Sequence, residues 1–320
     1  VMVDDSPVFQ DQIKNCGHGP RASLQVGQGI RKSMVQHNRT PLIMNKIAEL
    51  TDRGILNVAG DDAESFLQNV VTSDVTGLAE GSATYAGLLT PQGKLLFDFF
   101  VLKVPGGYVI DCALSQRPQL LQRLTMYKLR SKVTIEADED AKVYAIWGDA
   151  KPDGATVYAD PRTEAMGWRS IGSQEANADV GEYHRHRIAL GIGDTDLDIG
   201  SGEIFPHEGN LDQLGGVSFS KGCYVGQEVV SRMEHRGTAR TRFVVAKSSG
   251  PLAQEAEVKA GDLRIGAIKS VTGDQGLALI RLDRAGAAMA KGTPITVDGE
   301  PIEISVPDWA KFSIPAEDHK

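Results

Sequence analysis

The chain has 320 residues, of which 41% are hydrophobic and 24% charged, and a formal net charge of -8. That length exceeds one ordinary core and points to two or three domains, with a globular rather than a disordered composition. The acidic balance excludes the surface as a whole as a platform for nucleic acid or anionic membrane, and no apolar run reaches the roughly 18 residues that a membrane helix needs.

The first stretch, residues 1–43, is rich in Gln, Asn, Gly and Ser and has no sustained apolar period. It lacks the apolar segment of a secretory signal. Arg21, Arg31, Lys32 and Arg39 follow one another with no acid between them, as in a mitochondrial transit peptide, but Asp4, Asp5 and Asp11 oppose that reading. The expectation is a disordered or spurious extension, with folding beginning near Met44. Asp61 then precedes the periodic run Phe66, Leu67, Val70 and Val71, and Glu64 follows Asp61 by three, a variant of the capping box that predicts a short helix. A β-rich block comes next: strand Ala83–Thr90, turn Pro91-Gln92-Gly93-Lys94, strand Leu95–Val104, turn Pro105-Gly106-Gly107 and strand Tyr108–Leu114. Pro118 opens a helix carrying Leu120, Leu121, Leu124 and Leu129, because the first helical N–H has no partner to lose. Strands at Lys132–Glu136, Val143–Trp147, Thr156–Ala159 and Trp168–Ile171 and a helix over Glu182–Leu190 follow. Strands and helices mix without the alternation of a doubly wound sheet, so the class is α+β.

After Arg240 short strands succeed one another: Thr241–Lys247, Ala256–Ala260, Arg264–Val271, Leu277–Leu282, Pro294–Val297 and Pro301–Val306, with Asp298-Gly299 as a hairpin signal. Even spacing of this kind predicts a small antiparallel barrel or sandwich. The boundary falls near Gly237–Arg240, dividing the chain into 1–43, 44–238 and 239–320.

The three cysteines, Cys16, Cys112 and Cys223, lie far apart and form no C-x-x-C pair, so neither a disulfide scaffold nor a closed zinc site is indicated and a reducing compartment fits best. Cys223 sits in the most informative segment, Phe205 to Arg242. That segment is dense in glycine, yet it gathers Lys221, Cys223, Tyr224, Gln227 and Glu228 within a few positions. Lys221, Arg232 and His235 are cations that could stabilise a Cys223 thiolate. The bland reading is a surface loop with a buried, inert cysteine. Arg232, His235, Arg236, Arg240 and Arg242 form a local basic cluster suited to a folate polyglutamate tail, a nucleic-acid phosphate or an acidic partner, or simply paired with Glu228 and Glu234. His184 and His186 share a side only if their segment is a strand, and no third metal ligand is spaced to join them.

Lys221-Gly222-Cys223-Tyr224-Val225-Gly226-Gln227-Glu228 resembles the K-G-C-[YF]-x-G-Q-E signature of the YgfZ family of folate-binding proteins, related to the T-protein of the glycine cleavage system. His235-Arg236-Gly237 and Arg240 fit that family's H-R-G-x-x-R. Asn69, Thr72 and Asp74 resemble its early Q-N-x-x-T-x-D segment, Leu89 to Lys94 its hairpin turn, and Pro161-Arg162 with Gly167-Trp168-Arg169 its central motif. The resemblance implies a three-lobed ring, two α+β lobes and a C-terminal antiparallel β-barrel, around a hole holding tetrahydrofolate. It implies a role in assembling or repairing iron–sulfur proteins, beside an A-type carrier or client proteins, as a monomer in the cytoplasm or, alternatively, the mitochondrial matrix. Cys223 is then the functional thiol, helped by Lys221, and a ligand to a transient cluster shared with the partner; three cysteines cannot hold a four-thiolate cluster alone.

A pterin offers a donor edge that a carboxylate matches with two hydrogen bonds. Asp98 is the first expected carboxylate, similar to the second of two adjacent acids on a T-protein strand, with Phe97 in place of the first; the alternative is that strand alternation turns it to solvent. Glu208, in Pro206-His207-Glu208-Gly209-Asn210-Leu211, resembles the P-x-E-x-x-L segment, and Arg187 the R-[IL]-x-x-G segment. Asn69 and Tyr224 complete the expected folate contacts. An aminomethyltransferase of the T-protein type is the enzymatic alternative. Against it, that family's G-Y-T-G-E-D-G-F segment has no counterpart between Trp168 and Arg187. A tRNA-modification-linked module is the third reading, acting indirectly because the acidic chain disfavours RNA.

Overall fold

A computed structural model describes residues 45–148, 151–154, 156–237 and 239–315. The extension expected over 1–43, with its Cys16, lies outside them. The elements run β1 (Lys46–Glu49), β2 (Arg53–Ala59), α1 (Ala63–Val70), β3 (Ala83–Leu89), β4 (Leu95–Val104), β5 (Gly107–Ala113), α2 (Arg117–Lys128), β6 (Thr134–Asp138), β7 (Val143–Trp147), β8 (Val157–Ala159), β9 (Trp168–Ile171), α3 (Val180–Ala189) and α4 (Gln227–Arg236). The rest is β10 (Thr241–Ser248), β11 (Glu257–Ala260), β12 (Leu263–Thr272), β13 (Gln275–Arg281), α5 (Leu282–Ala290), β14 (Ile295–Val297) and β15 (Glu300–Ser305).

Three sheets carry the fold, as the α+β reading with a terminal barrel expects. A five-stranded sheet has the order β3-β4-β5-β2-β6, a four-stranded sheet the order β1-β7-β9-β8, and β10-β13-β12-β11-β14-β15 close into a barrel. α1 covers one face of the five-stranded sheet, burying Ala63, Phe66, Leu67 and Val70 in a core shared with Phe99, Val101 and Ile110. The barrel has its own core around Val244, Val258, Ile268 and Ile280. Asp298 and Gly299 take positive φ, 50° and 88°, between the paired residues Val297 and Glu300, which is the two-residue turn their sequence asks for.

Four local readings change. The residue at the N-cap of α1 is Asp62, not Asp61, and no side chain caps the helix. Asp62 instead accepts from the Lys132 N–H at 2.7 Å, and Glu64 accepts from the Tyr108 hydroxyl at 2.7 Å, so tertiary partners displaced the capping box. Leu129 is not on the buried face of α2; it follows the helix at φ 47° and is 86% exposed. Residues 282–290 form α5 rather than ending a strand at Leu282; its Leu282 and Ala285 join the barrel core, and Gly286 lies against the backbone of Pro315. The glycine-dense signature contains α4, ten residues between left-handed Gly226 and Gly237, with Val230 its only buried side chain. So little apolar periodicity reads as loop. β1 and β2 also escaped the pattern, β2 because Arg53, Gly54 and Asn57 interrupt its apolar run, although it lies inside the sheet.

Candidate functional site

Three segments singled out by sequence converge on the loop that carries Cys223. Thr72 bonds Gly87 through N–H to O at 3.0 Å, receives the Gly87 N–H at 2.7 Å on its hydroxyl, and donates that hydroxyl to the Gly216 carbonyl at 2.5 Å. Ser218 N–H returns to the Thr72 carbonyl at 2.9 Å. The α1–β3 connection is thereby stitched to the segment entering the signature. Lys221 completes the stitch: its ammonium donates to the Val71 carbonyl at 2.8 Å and the Ser73 carbonyl at 2.7 Å. The third segment is the β3–β4 turn, whose Gly93 lies against Gly226.

Lys221 and Tyr224 are both buried, while Gly222 and Cys223 between them are exposed. The chain rises to the surface for two residues and is pinned on either side. Cys223 is therefore exposed, and not buried as the bland reading expects. Lys221 is an anchor of the loop, because its ammonium is committed to backbone carbonyls; burial pushes its pKa down to about 8. Arg232 pairs with Glu228 at 2.5 Å. Among the described residues no hydrogen bond or ion pair reaches the Cys223 sulfur. Tyr224 packs with Leu89, Leu211 and Val230, its hydroxyl has no partner among the described residues, and burial raises its pKa to about 12. Cys112, the other cysteine of the described residues, is 1% exposed with its pKa pushed up to about 12 by burial.

Asp98 points inward, not to solvent, and is 4% exposed. One carboxylate oxygen accepts the Thr195 N–H at 3.1 Å and the Thr195 hydroxyl; the other accepts the Tyr85 hydroxyl at 2.7 Å. Burial, and after it the neighbouring Asp194, raise its pKa. Beside it lies a buried ion-pair network. Asp111 of β5 accepts from Arg53 at 2.7 Å, from Arg169 and from the Tyr158 hydroxyl at 3.0 Å. Asp160 takes Arg162 in a two-pronged contact at 2.9 and 2.7 Å, and Arg162 and Arg169 share the Tyr183 hydroxyl at 3.1 and 2.9 Å. All three guanidiniums flank the Phe100 ring, at 5.6, 4.9 and 4.2 Å for Arg53, Arg162 and Arg169. Burial opposes charge on Asp111, but Arg169 and Arg53 outweigh it and hold the carboxyl below its usual range.

The remaining expected residues are dispersed. Glu208 is half-buried and closes its own turn by accepting the Phe205 N–H at 2.8 Å. Arg187 is 1% exposed and saturated: it meets Asp198 at 2.7 Å, the Ile192 carbonyl at 3.0 Å, Ser270 at 3.2 Å and His184 at 3.0 Å, tying α3 to barrel strand β12. Asn69 is exposed on α1. His184 and His186 diverge on α3, one meeting Asp52 at 3.0 Å, the other stacked on Trp147. Of the buried charged residues, Arg162 and Arg169 lay in motifs visible in the sequence. Asp111 escaped notice, although an acid in the uniformly buried strand β5 carries the same signal as Asp98.

Residues 44–159 match the model of the GCVT N-terminal domain, and residues 240–312 that of the CAF17 C-terminal beta-barrel domain. Over 273 residues the chain is 32% identical to the mitochondrial iron–sulfur cluster assembly factor IBA57 of Mus musculus, covering 72% of this chain and 76% of that protein. The human protein of the same name is 29% identical over 304 residues, covering 81% and 84%. Among solved structures, the glycine cleavage system aminomethyltransferase T of Bartonella henselae superposes with a TM-score of 0.65 at 16% identity, covering 83% of this chain and 86% of that one, a likeness of fold. The YgfZ label is thus corrected to a neighbouring branch of the same T-protein-like fold. With a GCVT N-terminal domain joined to a CAF17-type barrel, and with these relatives, the chain belongs to the CAF17/IBA57 family.

Proposed function

We propose that the protein serves in iron–sulfur cluster assembly by lending the Cys223 thiolate as one ligand of a cluster held jointly with a carrier or client protein. The observation that carries this reading is the exposed Cys223 between two buried anchors, Lys221 and Tyr224. The relatives' names give the biological setting, iron–sulfur cluster assembly, and favour the mitochondrial alternative over the cytoplasm. A thiol that must exchange onto a cluster has to reach another protein's surface, and a pinned loop limits the entropy lost when it docks. The thiol loses its proton to solvent, the thiolate forms a bond to an iron of the partner's cluster, and the ligand it displaces there leaves into solvent and takes up a proton. Cys112 is buried, so among the described residues no second thiol stands ready to complete a cluster within the chain.

The test is to mix the protein with an A-type carrier loaded with a [2Fe–2S] cluster and to compare the wild type with Cys223→Ser. The expected result is a cluster-bridged complex with a changed visible spectrum in the wild type only, and loss of complementation by the variant. Full complementation by Cys223→Ser would overturn the reading.

Tetrahydrofolate is the second part of the proposal. Asp98 has the acceptor chemistry a pterin edge takes. The fit is conditional on movement, since both Asp98 oxygens already meet Tyr85 and Thr195. Folate would bind by exchanging with the Thr195 contacts, while Arg187 and Glu208 keep their protein partners. Calorimetric titration with tetrahydrofolate tests this: saturable binding lost in Asp98→Ala supports it, and no binding by the wild type removes folate while leaving Cys223 in place.

A further inference from the structure

A cavity of about 530 Å3 opens where the end of α4 meets the barrel. The ten residues of α4 span about 15 Å, so this cavity is separate from the thiol loop at the other end of the helix. Arg236, Arg240, Arg242 and His207 line it together with Glu234 and Asp283, and Met233 and Phe312 supply apolar wall. The size suits a small molecule rather than an ion alone.

The cations are not equivalent. Arg242 is spent: two of its nitrogens lie 2.8 Å from the two oxygens of Asp212, and its guanidinium sits 4.9 Å over the Phe312 ring. Among the described residues the Arg240 side chain reaches only Asp283, at 3.8 Å, and it is 61% exposed. Asp283 is itself held by Arg281, at 2.9 and 2.5 Å, which leaves Arg240 largely unneutralised. Arg236 has no hydrogen bond or ion pair among the described residues. His207 is 1% exposed; its Nε2 lies 3.2 Å from Glu234, and its buried Nδ1 has no partner among the described residues.

We propose that this cavity binds a small organic anion, with a phosphate or carboxylate head group between Arg236 and Arg240 and an apolar body against Met233 and Phe312. The two guanidiniums are exposed, carry two-donor forks suited to an oxyanion, and lose little desolvation energy on binding it. A divalent cation is the competing occupant, because His207, Asp212 and Glu234 place ligand atoms within 4.8 Å of one another. Arg242 already takes both Asp212 oxygens, and the neighbouring guanidiniums repel a cation, so the anion wins.

Calorimetric titration of the full chain with phenyl phosphate tests the proposal. Expected is saturable one-to-one binding, weakened roughly tenfold or more when the double variant Arg236→Ala/Arg240→Ala removes both charge-assisted contacts. Arg232→Ala, on the same helix but outside the cavity, should bind as the wild type does. No saturable binding by the wild type, or equal weakening by Arg232→Ala, overturns the proposal. Inorganic phosphate titrated alongside should bind more weakly; equal affinity would remove the apolar half of the claim. Manganese(II) binding abolished by His207→Ala would reassign the cavity to a cation. Cys223 takes no part in any of these measurements, so they stand or fall apart from the assembly role.

Discussion

Gly93 and Gly226 meet backbone to backbone. Their φ angles are 79° and 81°, and a Cβ on Gly226 would lie 3.0 Å from the Gly93 Cα and 2.6 Å from the Thr90 carbonyl oxygen. The first belongs to the β3–β4 turn and the second opens α4, directly after the thiol loop. Only residues without a side chain permit this approach and these angles together. The contact fixes where α4 starts, and so where Cys223 stands.

Gly226→Ala should therefore cost about 2–4 kcal/mol, the sum of left-handed strain and a clash with backbone that cannot move aside. Gly222→Ala, where an added Cβ meets nothing within 4 Å, should change stability by less than about 0.5 kcal/mol. Urea denaturation of both variants checks the contrast. Similar losses in the two would refute the close-approach argument.

Lys221→Met removes the ammonium that ties the loop to Val71 and Ser73, and should destabilise by about 1–3 kcal/mol, since two carbonyls lose their donor. The rate of Cys223 alkylation in the folded variant should stay within about twofold of the wild type, because the ammonium faces away into the α1–β3 connection. A large fall in thiol reactivity with stability unchanged would restore Lys221 as an activator of the sulfur.

Maleimide labelling of the native protein, followed by peptide mapping, should modify Cys223 within minutes and leave Cys112 untouched until denaturant is added. Burial raises the Cys112 pKa to about 12, and its sulfur lies 3.5 Å from the Gly54 carbonyl. Native labelling of Cys112 at a comparable rate would contradict its placement in the core.

Asp98 and Asp111 should respond to pH with opposite signs. The folded pKa of Asp98 is raised, so between the ordinary carboxyl value of 3.8 and that higher value the folded state holds a proton that the unfolded state has lost. Wild type should lose stability relative to Asp98→Asn as pH rises through that window, and the two should converge below it. The folded pKa of Asp111 is lowered, so its contribution is present above 3.8 and disappears as pH falls through the folded value. At neutral pH Asp111→Asn should cost about 3–5 kcal/mol, because the buried Arg53 and Arg169 lose their nearest carboxylate and keep only the longer contacts to Asp194 at 3.7 Å and Asp160 at 3.4 Å. Denaturation midpoints measured from pH 3 to pH 7 would show whether the two curves diverge in this way.

Much of the architecture was legible because it rests on local pattern. The strands Leu95–Val104, Val143–Trp147 and Trp168–Ile171 have the bounds their alternation and turns predict, and the change to short strands after Arg240 announces the barrel. Residues whose role comes from distant partners were not legible in this way. Arg53 and Asp111 lie 58 positions apart, as do Asp111 and Arg169, and nothing near any of them names its partner.

The α+β class, the terminal barrel and the signature around Cys223 are readable along the chain, since periodicity, turn chemistry and motif identity all reside in neighbouring residues. Tertiary structure alone decided that Lys221 anchors the loop while Cys223 faces solvent, that Asp98 turns inward to Tyr85 and Thr195, and that Arg236 and Arg240 border a cavity while Arg242 is spent on Asp212. Charge and hydrogen-bonding capacity are written in the residue type. Which partner satisfies them depends on the packing of segments far apart in the chain, because a buried polar group takes whatever complementary group the fold brings within about 3 Å.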